Sequence, residues 1–431
     1  MVLKNSLQHY EFKPQVIYIL PADPMLKAYK YRIYPTSEQE LLINRTIGIC
    51  RLVYNLALET KIRAWQSAGI NLSAYDLIYQ LVELKDAYPW MKNIDSQALT
   101  AAVKNVDVAF KHFFRGAGYP KFKSKKTGTQ SFHCPCNKRK VDLEKSTLTV
   151  PKIHDIPIVL SRKFTGKIKT VTISRTPAGR YFASILVDTG EQVPEKPAIR
   201  PETAIGIDVG IKSFVATSDG RRFEPNRKLQ DNLARLQCLS KRLARKQKGG
   251  RNRNKVRLQV ARLHETIANQ RNDYIHQVTT RLIRDNQTET IVIEDLNVSG
   301  MLKNRKLARA VMDVSWGRFF EVLKYKCNWY GRNLVVIDRF DPSSKRCSCC
   351  GEINAGLTLA DRHWQCRSCD TSHDRDANAA VNILWYGMQQ QKADQINTPE
   401  GIREEPVESR RLRRAKKQEC IQIEDLVPTR I

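Results

Sequence analysis

Three short stretches near the end of the chain decide how it folds: Cys-Ser-Cys-Cys at 347–350, Cys-Arg-Ser-Cys at 366–369 and His-Asp-Arg-Asp-Ala-Asn-Ala-Ala at 373–380. The two Cys-x-x-Cys pairs enclose fifteen residues, a spacing typical of a four-thiolate zinc site. The stretches therefore predict a zinc ribbon. Its expected ligands are Cys347, Cys350, Cys366 and Cys369. A fifth cysteine, Cys349, lies inside the first pair and could compete as a ligand.

A helix is predicted directly after the ribbon. Apolar residues recur there at helical intervals, at Ala377, Ala380, Val381 and Leu384. Asp376 then falls in the first turn, where the helix dipole favours a carboxylate.

Composition indicates a polyanionic partner. The 431 residues include 73 Lys and Arg against 44 Asp and Glu, which gives a formal net charge of +29 and a pI of about 9.8. Such an excess makes a compact chain repel itself unless a polyanion neutralises it, and nucleic acid is the leading candidate. No apolar run approaches the roughly 18 to 20 residues of a spanning helix, so we expect no membrane partner. Eleven unevenly distributed cysteines fit a reducing cytoplasm, and the start of the chain lacks a secretory cleavage pattern.

The first half of the chain predicts a β-sheet domain interrupted by helices. Residues 26–35 alternate apolar and basic side chains like a strand, residues 36–115 are mostly helical, and residues 130–190 contain short β-rich runs. A small barrel or sandwich fits these runs, and the first strand joins it because it would otherwise have no sheet. The loop at 115–126 interleaves basic and aromatic residues, including Lys121 and Lys123. We expect nucleic-acid contact there about as strongly as a solvated loop.

The second half predicts an α/β domain with a basic helical hairpin. Apolar strands are expected within 204–220, 291–296 and 334–337, and helices over 228–285 and 316–330. The hairpin at 228–285 is broken at Gly249-Gly250 and carries a one-sided run of cations that favours nucleic-acid contact over a merely solvated face. Its expected contact residues are Lys241, Arg242, Arg245, Lys246, Arg251 and Arg253. Periodicity is lost from about residue 387 onward, which predicts a disordered basic tail.

Three acidic residues stand out on or at the ends of apolar elements: Asp208 within the first strand of the second half, Glu294 near the end of a later strand, and Asp376 at the start of the last helix. They are far apart in sequence, so only a sheet can gather them. Converging carboxylates repel one another unless a hard divalent cation lies between them, and two such ions can support phosphodiester hydrolysis. Strand alternation alone does not separate Glu294 from Asp295, and Asp374 competes with Asp376 in the same way.

These motifs resemble one known family. Gly-Ile-Asp-Val-Gly-Ile-Lys at 206–212, Val-Ile-Glu-Asp-Leu-Asn at 292–297, the double Cys-x-x-Cys and the stretch at 373–380 are similar to the TnpB (OrfB) proteins of bacterial insertion sequences. Those proteins are relatives of type V CRISPR effectors. The start at 26–35 is similar as well, which makes Met25 a candidate initiator and leaves residues 1–24 as an extension.

The resemblance implies an α/β multidomain fold. An RNase H-like RuvC nuclease domain (201–340 and 373–386) would be split by the zinc ribbon (341–372). A wedge-type β-barrel (25–35 and 127–200) would carry a helical recognition lobe (36–126), and a basic tail (387–431) would follow. Carried over onto matching positions, the catalytic triad falls on Asp208, Glu294 and Asp376, which selects among the neighbouring carboxylates by analogy.

The resemblance also implies an activity. We expect an RNA-guided DNA endonuclease that uses Mg²⁺ or Mn²⁺ for catalysis and Zn²⁺ for structure, binds a guide RNA from the element's end, and cuts double-stranded target DNA beside a short adjacent motif. A monomer or weak dimer in the bacterial or archaeal cytoplasm is expected. The alternative is a nuclease-inactive guided repressor, which arises when the triad is lost. A transposase proper ranks lower, because the chain lacks a catalytic tyrosine paired with a two-histidine metal motif.

Overall fold

The computed structural model describes residues 24–126, 130–135, 139–284, 288–305, 307–358 and 360–396, with the backbone alone at 393–396. Residues 1–23, Cys136 and the proposed tail beyond 396 lie outside this part of the chain.

The first sheet joins the chain's first described strand to strands more than a hundred residues later. Strand β1 pairs antiparallel with β7 along its length and with β5 at its end, in the order β2-β6-β7-β1-β5-β4-β3. The strand predicted at 26–35 therefore joins the later β-rich runs, as expected, although it begins at Pro24. Closure of this sheet into a barrel stays a prediction. The strands are β1 (Pro24–Ile33), β2 (Gln130–Cys134), β3 (Lys140–Asp142), β4 (Thr147–Val150), β5 (Ile153–Val159), β6 (Lys167–Arg175) and β7 (Tyr181–Gln192).

A helical lobe is inserted between β1 and β2. Thr36 begins the first helix with a reciprocal capping box to Gln39, which satisfies two backbone N–H groups. The lobe shares one apolar core with the sheet, since Ile43, Leu99 and Ile173 all belong to the same buried cluster. Its helices are α1 (Ser37–Ala68), α2 (Ala74–Ala87) and α3 (Ser96–Phe114).

Helix α1 is the one described helix long and apolar enough to pass a test for a membrane span, but half of its most apolar window is buried inside the protein. It packs as a core helix.

The second sheet has five strands in the order β10-β9-β8-β11-β12. β8, β11 and β12 are parallel to one another, while β9 pairs antiparallel with β8, and β10 pairs antiparallel with β9. Their apolar residues pack against two helices, α6 (Arg251–Arg284) and α9 (Trp316–Trp329), in a second core. Because the carboxyl ends of parallel strands meet at one sheet edge, residues after β8, β11 and β12 become neighbours there. The strands are β8 (Ala204–Asp208), β9 (Val215–Thr217), β10 (Arg222–Phe223), β11 (Thr290–Glu294) and β12 (Asn333–Ile337).

The predicted basic hairpin is present. Leu236, Leu263 and Ile267 form a small core between its arms, α5 and α6, and the chain turns between them around Gly249. Shorter helices connect the arms to the sheet. The helices here are α4 (Lys228–Asp231), α5 (Leu233–Ala244), α6 (Arg251–Arg284), α7 (Val298–Met301), α8 (Ala308–Val314) and α9 (Trp316–Trp329).

The last described helix, α10 (Arg375–Ile396), lies directly on β8 and β11. Glycines permit this close approach: a Cβ added at Gly206 would lie 2.1 Å from the backbone oxygen of Ala380. A Cβ added at Gly387 would lie 2.4 Å from a methyl group of Val292. The first of these contacts is with backbone, so it cannot be relieved by a side-chain rotation.

Two sequence-based boundaries are wrong. The tail was expected to begin at 387, yet α10 continues through Ile396, because polar residues such as Gln389 and Gln390 form helix as readily as apolar ones. The ribbon was expected to end at 372, yet strand β14 (Ser372–Asp374) pairs with β13 (His363–Gln365), so the ribbon's hairpin reaches Asp374. The ribbon therefore joins α10 without a linker.

Candidate active site and metal centre

Asp208 ends β8 at the carboxyl edge of the second sheet and is only partly exposed. The pKa of its carboxyl is raised to about 7, chiefly by burial and then by the negative charges of Asp376 and Glu294. The structure therefore brings together three acidic residues that are far apart in sequence, close enough for their charges to interact.

Glu294 ends the neighbouring strand β11. Burial raises its pKa to about 7 as well, and the next contributions come from the charges of Asp341 and Asp295. Asp341 was not predicted from the sequence. It follows β12 in an irregular segment without periodicity, so the only available signal was its position four residues after an apolar strand.

Asp376 lies in the first turn of α10 and is partly exposed. Its carboxylate lies 3.5 Å from the guanidinium of Arg362, which belongs to the ribbon. A residue of the ribbon thus contacts one of the predicted catalytic carboxylates directly.

The two competing carboxylates are engaged elsewhere. Asp374 accepts a hydrogen bond from the backbone N–H of Ala377 and pairs with Arg222 at 2.6 Å, so it caps α10. Asp295 pairs with Arg339 at 2.7 Å. Each therefore has a structural partner that accounts for its charge.

Four cysteines gather in the ribbon. The sulfurs of Cys347, Cys350, Cys366 and Cys369 all lie within 4.8 Å of one another, and Cys349 is not part of this group. Two sulfur pairs, Cys347–Cys369 and Cys350–Cys366, are 3.6 Å apart. Zn–S bonds of about 2.3 Å in a tetrahedron place sulfurs about 3.8 Å apart, so the spacing fits zinc. Hydrogen bonds with the side chain and backbone of Thr371 lower the pKa of the Cys369 thiol to about 6, which favours the metal-binding thiolate.

His373 is a neighbour of this cluster that sequence reasoning missed as a ribbon residue. Its Nε2 atom lies 3.0 Å from the sulfur of Cys347, and its ring packs against Trp364. Burial lowers the pKa of His373 and so favours the neutral ring. A neutral imidazole N–H can donate a hydrogen bond to a thiolate, an outer contact of the kind that orients metal ligands.

Two buried asparagines fasten the ribbon to α10. The Asn378 amide donates to the backbone oxygen of Arg346 at 2.8 Å and accepts from the N–H of Ser348 at 3.0 Å. Asn382, fully buried, donates to the backbone oxygen of Ser343 at 2.8 Å and accepts from the Arg346 guanidinium at 2.9 Å. That guanidinium also stacks on Trp385 at 3.9 Å. The cysteine cluster and the helix that carries Asp376 are therefore one packed unit.

The carboxylates form a looser group. Within the described part of the chain, the four cysteines are the group of metal-binding side chains whose ligand atoms all lie within 4.8 Å of one another. Asp208, Glu294 and Asp376 are more widely spaced, and their donor atoms are all oxygen. Mutually repelling, partly buried oxygen donors suit a hard divalent cation such as Mg²⁺ or Mn²⁺.

The predicted nucleic-acid contacts of the hairpin divide into two kinds. Arg253 donates to the backbone oxygens of Leu243 and Lys246, which caps the end of α5 and gives this arginine a structural task. The other predicted cations project into solvent: Lys241, Arg242, Arg245, Lys246 and Arg251.

Lys121 and Lys123 line a cleft of about 420 Å³ between the helical lobe and the first sheet, together with Arg51 and His133. The Lys123 ammonium lies 3.8 Å from the centre of the Tyr54 ring, and the Asn55 side chain holds its backbone. Phe122 lines the same cleft, while contact of this loop with nucleic acid stays a prediction.

The fold is shared with Cas12-type effectors. The structure aligns with Cas12f1 in its "Cas12f1-sgRNA-target DNA complex" at a TM-score of 0.52 and 15% sequence identity, covering 84% of this chain and 99% of that one. This likeness defines the class by fold: a mixed α/β protein with a four-cysteine centre.

Sequence comparison gives the family. Residues 184–305 match the OrfB_IS605 family, described as "Probable transposase", residues 316–383 match the "Cas12f1-like, TNB domain", and residues 25–69 match the OrfB_IS605 "Helix-turn-helix domain". A Streptomyces pristinaespiralis protein named "Putative RNA-guided DNA endonuclease" is 40% identical over 399 residues, 91% of this chain and 96% of its own length. InsQ of Escherichia coli K12, named in the same way, is 32% identical over 84% of this chain. The chain belongs to this OrfB (TnpB) family.

Proposed function

We propose that this protein is an RNA-guided DNA endonuclease that cleaves target DNA at the carboxylate edge of the second sheet. The main observation behind the proposal is that Asp376 and Glu294 lie close to Asp208. Besides burial, the charges of these two carboxylates raise the pKa of Asp208. The family membership and the names of the relatives supply the substrate and the guide. Three antiparallel strands followed by two parallel ones support a RuvC-like, RNase H-type assignment for this domain.

The acidic residues at this edge have two roles: some would bind the catalytic metal and others position the backbone. Asp208, Glu294 and Asp376 would hold one or two divalent cations, which supply an activated water and stabilise the leaving oxygen of the phosphodiester. The carboxylates must be ionised to do so. Burial raises the pKa values of Asp208 and Glu294 to about 7 in the metal-free protein, and a bound cation would favour their ionised form. Asp374 and Asp295, already paired with arginines, keep the helix and the β11 edge in position.

A substitution at Asp208 tests the catalytic assignment. Asp208→Ala should abolish cleavage of a target matched to the RNA that co-purifies with the protein, because a metal ligand is lost. RNA and target binding should persist, since they depend on contacts elsewhere. Glu321→Ala is the control, removing an exposed carboxylate of the same domain that pairs with Arg318 on α9. Loss of nucleic-acid binding together with cleavage would show instead that Asp208 is structural.

We further propose that the four cysteines bind a structural zinc ion. The sulfur spacing supports it, and the ribbon has little apolar core of its own: Leu357 and Trp364 are its main buried apolar side chains beside the cysteines. Small modules of this kind depend on metal for their folding energy. Cys366→Ser should release zinc and expose residues 341–374 to proteolysis, while Cys349→Ser should retain the zinc. Unchanged zinc content in the Cys366 variant would contradict the assignment.

Guide RNA and double-stranded DNA are the proposed partners. The exposed cations on α5 and at the start of α6 suit the backbone of an RNA–DNA heteroduplex, in which base pairing rather than protein contact selects the sequence. We propose that the first sheet and its helical insertion form the wedge and recognition parts of such an effector. A repressor without nuclease activity is disfavoured because all three carboxylates are present. A monomeric or weakly dimeric state and a cytoplasmic location remain predictions.

A further inference from the structure

The turn at 338–343, between β12 and the ribbon, exposes a phenylalanine. The Phe340 side chain is 87% exposed, the largest fraction among the exposed large apolar side chains of the described residues. Isolated apolar residues on a surface are ordinary. An aromatic ring held almost wholly in water by a well-ordered turn, beside an acidic site, requires a different explanation.

The turn is firmly fixed. Asp338 accepts a hydrogen bond from the N–H of Phe340 at 2.9 Å, and the backbone oxygen of Asp341 accepts one from the N–H of Ser343 at 2.7 Å. On one side Arg339 donates to both the backbone and the carboxylate of Asp295. On the other side the oxygen of Ser343 accepts from the buried Asn382 of α10. Exposure of Phe340 is therefore a consequence of an anchored backbone.

The turn lies at the carboxylate edge. Ile337, the last residue of β12, pairs in register with Glu294 at the end of β11, so the turn begins beside that carboxylate. Arg339 contacts Asp295, the residue after Glu294, and Asp341 interacts electrostatically with Glu294 itself. Phe340 lies between these two residues in sequence, so its backbone is adjacent to the candidate active site and its exposed ring is within the same turn.

We propose that Phe340 stacks on an unpaired base of the DNA strand that enters the carboxylate site, and thereby holds the phosphodiester in register for cleavage. The proposal rests on the proposed function. It adds a second kind of substrate contact to that function. The proposed carboxylates act on the phosphodiester, whereas Phe340 would contact a base.

The chemistry favours a base over other apolar partners. A protein partner needs a contiguous apolar patch, whereas the neighbours of Phe340 in the chain are Arg339 and Asp341. A nucleobase needs only one aromatic face, and stacking accepts every base, which suits a protein that leaves sequence choice to the guide.

The test uses full-length protein with its co-purified RNA and a matched target duplex carrying 2-aminopurine at successive positions of each strand. Without metal, which prevents cleavage, the wild type should quench 2-aminopurine emission at one position in a displaced strand. Phe340→Ala should lose that quenching, and Phe340→Trp should retain it. With Mg²⁺, the single-turnover cleavage rate of Phe340→Ala should fall by roughly five- to hundredfold, the range given by base–aromatic stacking. Target affinity should stay within about twofold, because base pairing supplies it.

Tyr330→Ala is the matched control. Tyr330 is also exposed (46%), but it precedes β12 and so stands at the opposite end of the same strand. This variant should keep the wild-type quenching and rate. Equal quenching in the wild type and Phe340→Ala at every position would overturn the stacking proposal, whether or not the complex cuts DNA. A wild type that quenches but does not cut when Mg²⁺ is added would uphold stacking and refute the nuclease function, so the two failures are distinguishable.

Discussion

Replacing Gly206 by alanine should separate two of the proposed metal ligands. Gly206 lies two residues before Asp208 in β8, and its α-carbon faces the backbone of Ala380, one turn after Asp376 in α10. The added Cβ would lie 2.1 Å from the Ala380 oxygen and 2.7 Å from the Leu384 nitrogen. To reach ordinary contact, the helix must move away by about 1.3 Å.

A displacement of this size matters more for catalysis than for folding. Overpacking of this kind costs about 1–3 kcal/mol of unfolding free energy, whereas a 1 Å misplacement of reacting groups can cost about a hundredfold in rate. We therefore expect Gly206→Ala to remain folded with a lowered melting temperature and to bind guide RNA normally. Its single-turnover cleavage of target DNA should fall by about a hundredfold or more.

Gly317→Ala provides the control for the glycine replacement. Gly317 lies in the first turn of α9, in the same domain, and a Cβ there meets nothing within 4 Å. Alanine is the better helix former, so this variant should match or slightly exceed the wild type in stability and should cut at the wild-type rate. If Gly206→Ala cleaved DNA as fast as Gly317→Ala, the contact between α10 and β8 would not set the geometry of the site.

Three further predictions concern protons, docking and the hairpin. The pKa values of Asp208 and Glu294 are raised to about 7, so between about pH 4 and 7 the folded metal-free protein holds protons that the unfolded chain has released. The unfolding free energy of the metal-free protein should therefore fall as pH rises through that window. At pH 8 in the presence of chelator, Asp208→Asn should be more stable than the wild type. A melting temperature of Asp208→Asn equal to or below that of the wild type would contradict the raised pKa. Asn382→Ala removes three hydrogen bonds to the ribbon and should weaken the docking of the ribbon on α10 by about 2 kcal/mol. The measurement is the rate of zinc release and of proteolysis within the ribbon, both of which should increase. Unchanged resistance to proteolysis would show that Asn382 does not anchor the ribbon. Arg253→Ala should lower thermal stability with little loss of RNA affinity, because Arg253 caps α5. Arg251→Ala should lower RNA affinity and reduce the slope of its salt dependence by about one. The reverse pattern would mean that Arg251 is the structural arginine and Arg253 the RNA contact.

Much of the fold could be predicted because its signals are local. The alternation at 26–35 and the apolar runs after it indicate strands, and the need of an isolated strand for partners predicts the pairing of β1 with later strands. The two Cys-x-x-Cys pairs have the residue type and spacing of a zinc site, so the sequence alone predicts the four-cysteine cluster. The sequence also indicates that Glu294 lies near the end of its strand and Asp376 at the start of its helix, whereas Asp208 is expected within a strand and lies at the end of one.

The remainder depends on contacts between distant segments. Nothing local to Arg362 shows that it reaches Asp376, or that Asp341 shares an environment with Glu294. The choice between Asp374 and Asp376 required family analogy at the sequence level; the cap at Ala377 and the ion pair with Arg222 supply a physical reason for it. The end of α10 was misjudged because helix propensity continues through polar residues after the apolar stripe weakens.

The order in which the chain supplies its acidic residues has a consequence for synthesis on the ribosome. Asp208 and Glu294 emerge well before Asp376, and the ribbon must emerge and fold between them and the last carboxylate. At translation rates of about 5–20 residues per second, a nascent chain spends several seconds with two carboxylates in place and the third not yet made. Because α10 covers β8 and β11 only when nearly the whole described chain exists, incomplete chains carry the basic hairpin without the third carboxylate. If the proposed function is right, an unfinished chain would therefore lack an assembled cleavage site until its last helix is made.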